Sequence, residues 1–502
     1  MSAIRLLFKQ SIDYVSGHIL LMVGGFISFP ILTRILSVSD YGIFGLITSS
    51  LFIGLALLKC GFPSTIVQFY AEFKAKQEVE RFCSTLFFSS LVIGGSASAF
   101  LIVILEFLGS KFLDLNLVNL LILACIVLFA GCVSDVVTSF LRAEQRTKLF
   151  NIIAVLRRYG SLTASILILL LFMRNLYGFF LGQTVVGLII LVFLIHIFLR
   201  KQKIAVKSFS ASILKEAMRF GLPLVWIELA HLILNYADRY LIQLYLGSEA
   251  LGFYTAGYTL TIHVTDVILY PVSYTITPIY MDILVNKGTA ATQEFFSRMF
   301  RYFWLITIPL GLGFIAVAKD LISLLASSKY MEAYTVIPFL VIGQSIYIAQ
   351  IISNSGLFIM KKTHIVSFLM AGTCLLKVLL NLMLIPKLGI AGAAMGTMIT
   401  YCIYAVVVSA WSLKVFRFEI DYGHILLYLA LSLIMYVVVM NVNMESHLFS
   451  MFSKVGVGVT VYGLLLMVFD RQVRREVRGE LNFHRGSFAK KQGEVELWRG
   501  RK

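Results

Sequence analysis

Runs of about 20 apolar residues recur from one end of this 502-residue chain to the other, and no other feature constrains its fold so tightly. At 1.5 Å per residue such a run crosses the hydrocarbon core of a bilayer, which is about 30 Å thick. In lipid every backbone N–H and C=O must be satisfied within the structure, so runs of this length are helices; the strands of a membrane barrel are about half as long. We read about fourteen spans, at 14–34, 42–60, 83–108, 117–141, 150–173, 176–199, 221–246, 252–277, 300–326, 334–359, 365–386, 390–413, 424–442 and 451–469. Composition agrees. Hydrophobic residues make up 59% and charged residues 14%, against about 45–50% and about 25% in soluble domains. The expected fold class is an all-α integral membrane protein.

The net charge of +17 would suggest nucleic acid in a soluble protein. Here it orients the chain. With the N-terminus in the cytoplasm, about 33 Lys and Arg fall on the inner side and about 6 outside. The rich inner segments are Arg142–Arg158, Arg200–Arg219 and the tail after Arg471. Both termini are therefore expected inside, with no nucleic-acid partner. The basic tail 470–502 is expected to meet anionic lipid. The first run is too long for the core of a signal peptide and lacks a small-residue cleavage site, so it reads as a span. Cys60, Cys83, Cys125, Cys132, Cys374 and Cys402 sit in or beside apolar runs with no C-x-x-C spacing. They read as small core residues, not disulfides or metal ligands.

An internal repeat is visible. LSVSDYGIF at 36–44 matches LGSEALGFY at 246–254, an offset of 210. Gly178 and Gly182 match Gly392 and Gly396 at an offset of 214. Nearly equal offsets argue for duplication of a six-helix unit. Six is even, so the copies share one orientation, related by a pseudo-two-fold axis along the membrane normal. The expected partition is an N-terminal lobe at 1–205, a second lobe at 206–416, two peripheral helices at 417–469 and the tail at 470–502.

Charges at mid-bilayer cost about 2.5–3.5 kcal/mol even on the lenient insertion scale, so they mark partners or a watery cavity. The run 221–246 carries Glu228, His231, Asn235, Asp238 and Arg239 along one stripe, and the next carries His263, Asp266, Tyr270 and Tyr274. If 246–252 is the turn between them, Asp266 lies level with about residue 233, near His231 and Asn235. Span eleven holds Lys377 and Asn381, and span ten holds Gln344. Arg239, Lys377, Asn235, Asn381 and Gln344 are the expected cavity residues. Asp266, Glu228 and His231 are the ion-coupling candidates, for a proton or sodium. Asp238 beside Arg239 can also be read as a static ion pair, and His231 and His263 as polar packing. Arg157, Arg158 and Lys377 make spans 150–173 and 365–386 the least regular. There is no Gly-Lys dipeptide, hence no Walker A loop, and no H-E-x-x-H or G-x-S-x-G. With outer loops of only a few residues, these absences disfavour an enzyme, and no cofactor is expected.

TRILSVSDYGIFGL at 33–46 and LNLMLIPKLGIAGAAMGT at 380–397 resemble segments of polysaccharide repeat-unit flippases, the Wzx-type O-antigen and exopolysaccharide translocases. The resemblance covers almost the whole chain. It marks a superfamily that also holds drug/sodium antiporters and lipid II flippases. It implies two six-helix lobes around a central cavity, two peripheral helices, and movement of an undecaprenyl-diphosphate-linked oligosaccharide from inner to outer leaflet by alternating access. It implies residence in the bacterial cytoplasmic membrane, with a polysaccharide polymerase and chain-length regulator as partners. It also implies cationic cavity residues facing the diphosphate, a role that Arg239 and Lys377 fit by position. The rival readings are a small-molecule antiporter of the same fold and a non-transporting scaffold subunit of an assembly complex.

Overall fold

The computed structural model describes residues 20–475 other than 110, 112, 113, 443 and 445; of 108, 267–275 and 278 it describes the backbone alone. Arg5, Lys9, the side chains of Tyr270 and Tyr274, and the tail from 476 lie outside the described residues. The described structure is helical throughout. The helices are α1 (Leu20–Ile35), α2 (Val38–Leu58), α3 (Phe62–Ala75), α4 (Val79–Ile104), α5 (Leu115–Ala143), α6 (Thr147–Leu171), α7 (Leu176–Lys201), α8 (Ala211–Leu321), α9 (Ile337–Ile359), α10 (Thr363–Val415), α11 (Tyr422–Met440) and α12 (His447–Phe469).

Eleven helical stretches are long and apolar enough to cross a membrane, and α1 adds a shorter apolar one. Two of the eleven are long enough for two crossings each: Ala211–Asp266, of 56 residues, and Thr363–Val415, of 53. Each holds a glycine at positive φ, Gly247 at 82° and Gly389 at 62°. A left-handed residue cannot continue an α-helix, so the chain turns there. Residues 221–246 and 248–271 of α8 are thus the two legs of a hairpin. Two connections between apolar stretches are themselves helical: α3, and residues 279–299 of α8, which hold Gly288 at φ 83°.

The chain forms two compact units. The first comprises residues up to Pro271 together with Leu325–Val415, and the second comprises Val272–Leu324 with the residues from Phe416 on. Segments from both copies of the proposed repeat lie in the first unit. The lobes 1–205 and 206–416 are a proposed partition by duplication.

In the first unit, Phe62, Ile66, Tyr70 and Phe73 of α3 pack on Phe82 and Leu86 of α4 and on Val133, Val137 and Phe140 of α5. Phe73 and Phe82 stack with ring centroids 4.5 Å apart. The repeated glycines do equivalent jobs. A Cβ on Gly182 of α7 would strike the backbone of Ser165 in α6, and one on Gly392 would strike Leu384 across the α10 hairpin. Each opens a hairpin whose legs touch backbone to backbone, the close approach that small residues permit in membranes.

α2 packs on the α8 hairpin over its whole length. Near its start, Ser39 Oγ lies 2.6 Å from Ser248 Oγ. A Cβ on Gly42 would run into the Ser248 carbonyl and lie 2.7 Å from Gly252 N, and a Cβ on Gly252 would run into the Val38 carbonyl. Further along, Ser50 meets Tyr240 at 2.8 Å and Phe52 stacks on Tyr236 at 5.7 Å. At the far end Ala56 packs on Val225 and Leu229.

In the second unit, Tyr428, Leu431, Met435 and Val439 recur every three or four residues along α11 and form one buried stripe. It packs with Tyr462 and Leu466 of α12 and with Trp304, Leu305 and Ile308 of α8. Buried charges sit at both ends. Asp320 meets Lys454 at 2.8 Å, His447 at 3.0 Å and Ser450 at 3.1 Å. Asp470 accepts from Arg301 at 2.8 Å and from Tyr428 at 2.9 Å.

Candidate functional site

The first unit holds a cavity of about 390 Å³ inside its membrane-spanning helices. Its walls come from α1, α2, α5, α6 and α7, with Thr259 and His263 contributed by α8. The lining mixes three chemistries. Ser28, Thr48, Ser134, Ser161, Gln183 and Thr259 offer hydroxyl and amide groups; Phe29, Tyr41, Phe44, Phe52 and Phe179 offer ring faces and edges; Arg157 and Arg158 supply positive charge.

The two arginines are adjacent on α6, so their side chains leave the helix about 100° apart. Arg157 reaches Asp135 of α5, with Nη1 3.0 Å from Oδ1. The other oxygen of Asp135 lies 3.7 Å from Lys59, which lies 3.4 Å from Glu228. A chain of alternating charge thus runs from the cavity wall to α8. Arg158 follows α1 instead, against Gly24. Among the described residues it has no carboxylate within ion-pair distance. Next to it, the Tyr159 hydroxyl donates to the Leu20 carbonyl at 2.6 Å and pins α1 to α6.

The residues singled out from sequence lie elsewhere. Lys377 is fully buried and makes a dry ion pair with Asp238, at 3.0 Å, while donating to the Leu234 carbonyl at 2.5 Å. Tyr254 donates to the same carboxylate at 2.5 Å. This corrects two readings. Asp238 pairs with Lys377, not with Arg239; and Lys377 is not a free cavity cation here, because a buried carboxylate one helix away neutralises it. Arg239 is also buried. It donates to the Gly45 carbonyl at 3.1 Å and to Ser49 at 2.7 Å, between the rings of Tyr236 and Tyr258. It joins α8 to α2. The amides of Asn381 and Gln344 are buried, and Asn381 has no side-chain hydrogen bond within the described protein.

Asn235 accepts from Tyr258 at 3.2 Å, and Asp238 from Tyr254. These pairs set the hairpin register, centred near Gly247 and not on 249. By that register Asp266 stands level with about residue 228, about one turn from His231. His231 instead meets Tyr347 at 3.3 Å. Of the stripe residues with described side chains, only His263 lines the cavity. The signal that could have found Arg157 and Arg158 was present: two cations inside a span, with no acidic residue in that span. The cysteines are all free, five of them buried. No group of three or more His, Cys, Asp and Glu residues stands ready for a metal among the described residues.

This arrangement of all-helical spans around a charged internal cavity has known counterparts. The family model for the polysaccharide biosynthesis protein family matches residues 31–335. The chain belongs to that family. Its fold is that of the lipid II flippase MurJ in an inward closed conformation, with a TM-score of 0.75 at 13% identity, covering 92% of this chain and 99% of that one. An inward-facing multidrug resistance MATE transporter of the MOP superfamily is also similar, with a TM-score of 0.62 at 15% identity over 78% of this chain and 93% of that one. An uncharacterized membrane protein of Methanocaldococcus jannaschii is 21% identical over 420 residues, 79% of this chain and 82% of that protein.

Proposed function

We propose that this chain is a flippase for undecaprenyl-diphosphate-linked oligosaccharide repeat units, moving them from the cytoplasmic to the outer leaflet by alternating access for O-antigen, capsule or exopolysaccharide synthesis. The observation that carries this reading is Arg158, a cation without a carboxylate partner among the described residues, on the wall of a cavity within the membrane. A diphosphate supplies the missing negative charge, and Arg presents it with a fork of N–H donors. The ring faces and hydroxyls beside it suit sugars. The site proposed here is therefore Arg157 and Arg158; Arg239 and Lys377 hold helices together.

Arg158→Ala is expected to lower surface polysaccharide at least about tenfold with normal protein in the membrane, as loss of a charge-assisted contact of about 1.5–3 kcal/mol implies. Lipid-linked units should accumulate on the inner leaflet. Normal surface polysaccharide in this variant would sink the reading. The MATE-like fold favours a second reading, an ion-coupled antiporter of small molecules. Unchanged polysaccharide with retention of a drug or metabolite on gene deletion selects it. Transport that survives neutralising every cavity charge selects the scaffold reading instead.

The charge asymmetry supports an orientation with both ends inside; residence in the bacterial cytoplasmic membrane, with a polymerase and chain-length regulator as partners, follows from the family reading. Reporters fused at Arg200 and at the C-terminus are expected to read cytoplasmic, and a periplasmic signal from either overturns that orientation. With no nucleotide motif, any uphill work falls to an ion gradient or to consumption of product. Asp266, Glu228 and His231 remain candidates for a proton or sodium site, of which Glu228 is the one seen in an ion pair.

A further inference from the structure

α1 carries two adjacent glycines, and each makes room for a side chain from another helix. A Cβ on Gly24 would meet Arg158 Cγ at 3.3 Å and Nε at 3.4 Å; one on Gly25 would meet His263 Nε2 at 2.7 Å. The pair of glycines thus seats an arginine and a histidine side by side on the cavity wall. His263 Nδ1 lies 2.7 Å from the Thr259 carbonyl, one turn earlier on its own helix. A carbonyl only accepts, so Nδ1 carries a proton, and in the neutral ring Nε2 is left as a bare acceptor. That nitrogen faces Gly25, whose carbonyl is again an acceptor. The neutral ring therefore has a lone pair facing another acceptor, and the protonated ring donates to both carbonyls but sets a second positive charge beside Arg158. The charged ring lacks only a negative charge nearby.

An anion supplies it. Placed beside Arg158 and His263, it accepts from the guanidinium and favours the protonated ring by its charge. We propose that His263 is the proton-linked half of the anion site: a phosphate group entering beside Arg158 offsets the second positive charge, so binding draws one proton from water onto His263 and release returns it. This rests on the reading of the cavity as a phosphate site. The charged and titratable groups around His263 are Arg157 and Arg158 of α6, Tyr41 of α2 and, one turn along its own helix, Asp266; α1 presents Phe26, 4.7 Å from the ring, and Phe29, and α7 presents Gln183. The arginines keep their charge at any relevant pH, so the imidazole is the group beside Arg158 that can exchange a proton.

The test is calorimetry of farnesyl diphosphate binding to the purified full-length protein in detergent, in two buffers of different ionisation enthalpy at one pH. The heat difference counts protons taken up. The probe has its own protonation, so the informative quantity is the difference between proteins. Wild type should take up close to one proton more than His263→Asn, whose amide can still donate to Thr259. Its affinity should fall by up to about tenfold more per unit rise in pH than that of the variant. Gly25→Ala, which crowds Nε2 from another helix, should lose the same proton. Equal proton counts in wild type and His263→Asn, with binding still dependent on Arg158, overturn the proton link alone. Absence of binding in wild type, or equal binding in Arg158→Ala, overturns the cavity reading as well.

Discussion

Replacing Lys377 with methionine is expected to cost about 3–5 kcal/mol of stability, because it strands the Asp238 carboxylate in a dry interior. Both partners are fully buried, and the pair joins the first leg of the α8 hairpin to α10. Methionine fills much of the volume of lysine, so the loss reports charge more than packing. The double variant Asp238→Asn with Lys377→Met removes both charges and should recover most of the stability, since exchanging a whole buried pair for neutral groups is often close to neutral. Thermal unfolding in detergent, read by loss of monodisperse protein, compares the three. Equal Tm in the single and double variants would mean that the pair is not what holds these helices.

The second large effect is expected at Gly42. Alanine there drives a methyl into the backbone of Ser248 and Gly252, where no flexible side chain can give way. Overpacking of this kind costs about 1–3 kcal/mol, borne by any state in which α2 lies against the hairpin. Ser39→Cys with Ser248→Cys makes that state visible, since their side-chain oxygens already lie 2.6 Å apart. In the Gly42 parent the cysteines should link readily and stop surface polysaccharide export until reductant is added. In a Gly42→Ala background linking should slow at least about tenfold. Rapid linking there would show that the close approach is dispensable.

Much of this was legible in the chain. Apolar run length gave the spans: eleven apolar stretches and α1 accommodate about fourteen because Ala211–Asp266 and Thr363–Val415 each hold two, on either side of Gly247 and Gly389. The matched glycines were read from spacing as marks of a repeat, and both G-x-x-x-G copies stand at close contacts. Charge pairing was not legible. Lys377 looked unpartnered because Asp238 lies 139 residues away in the sequence. Asp238 and Arg239 looked paired because they are adjacent, yet neighbours on a helix point about 100° apart and meet different helices. The register of the α8 hairpin turned on a single residue, Gly247, and a shift of its centre by two residues moves the opposite leg by about four, a full turn. Arg157 and Arg158 were visible as irregularities in a span, but only the fold shows that the two glycines of α1 stand across from one of them and from His263.

The glycine contacts between α2 and the α8 hairpin carry a further consequence. Gly42 meets Ser248, and Val38 meets Gly252; with an offset of 210, Ser248 is the counterpart of Val38 and Gly252 the counterpart of Gly42. Residue i touches the copy of j while j touches the copy of i, which is the reciprocity of an isologous dimer interface. A six-helix ancestor that associated with itself would have built this contact from one gene, with each mutation felt twice. Fusion into one chain would have released the halves from that constraint. One copy could then acquire its arginine pair and the other its histidine, which two identical subunits could not have divided between them.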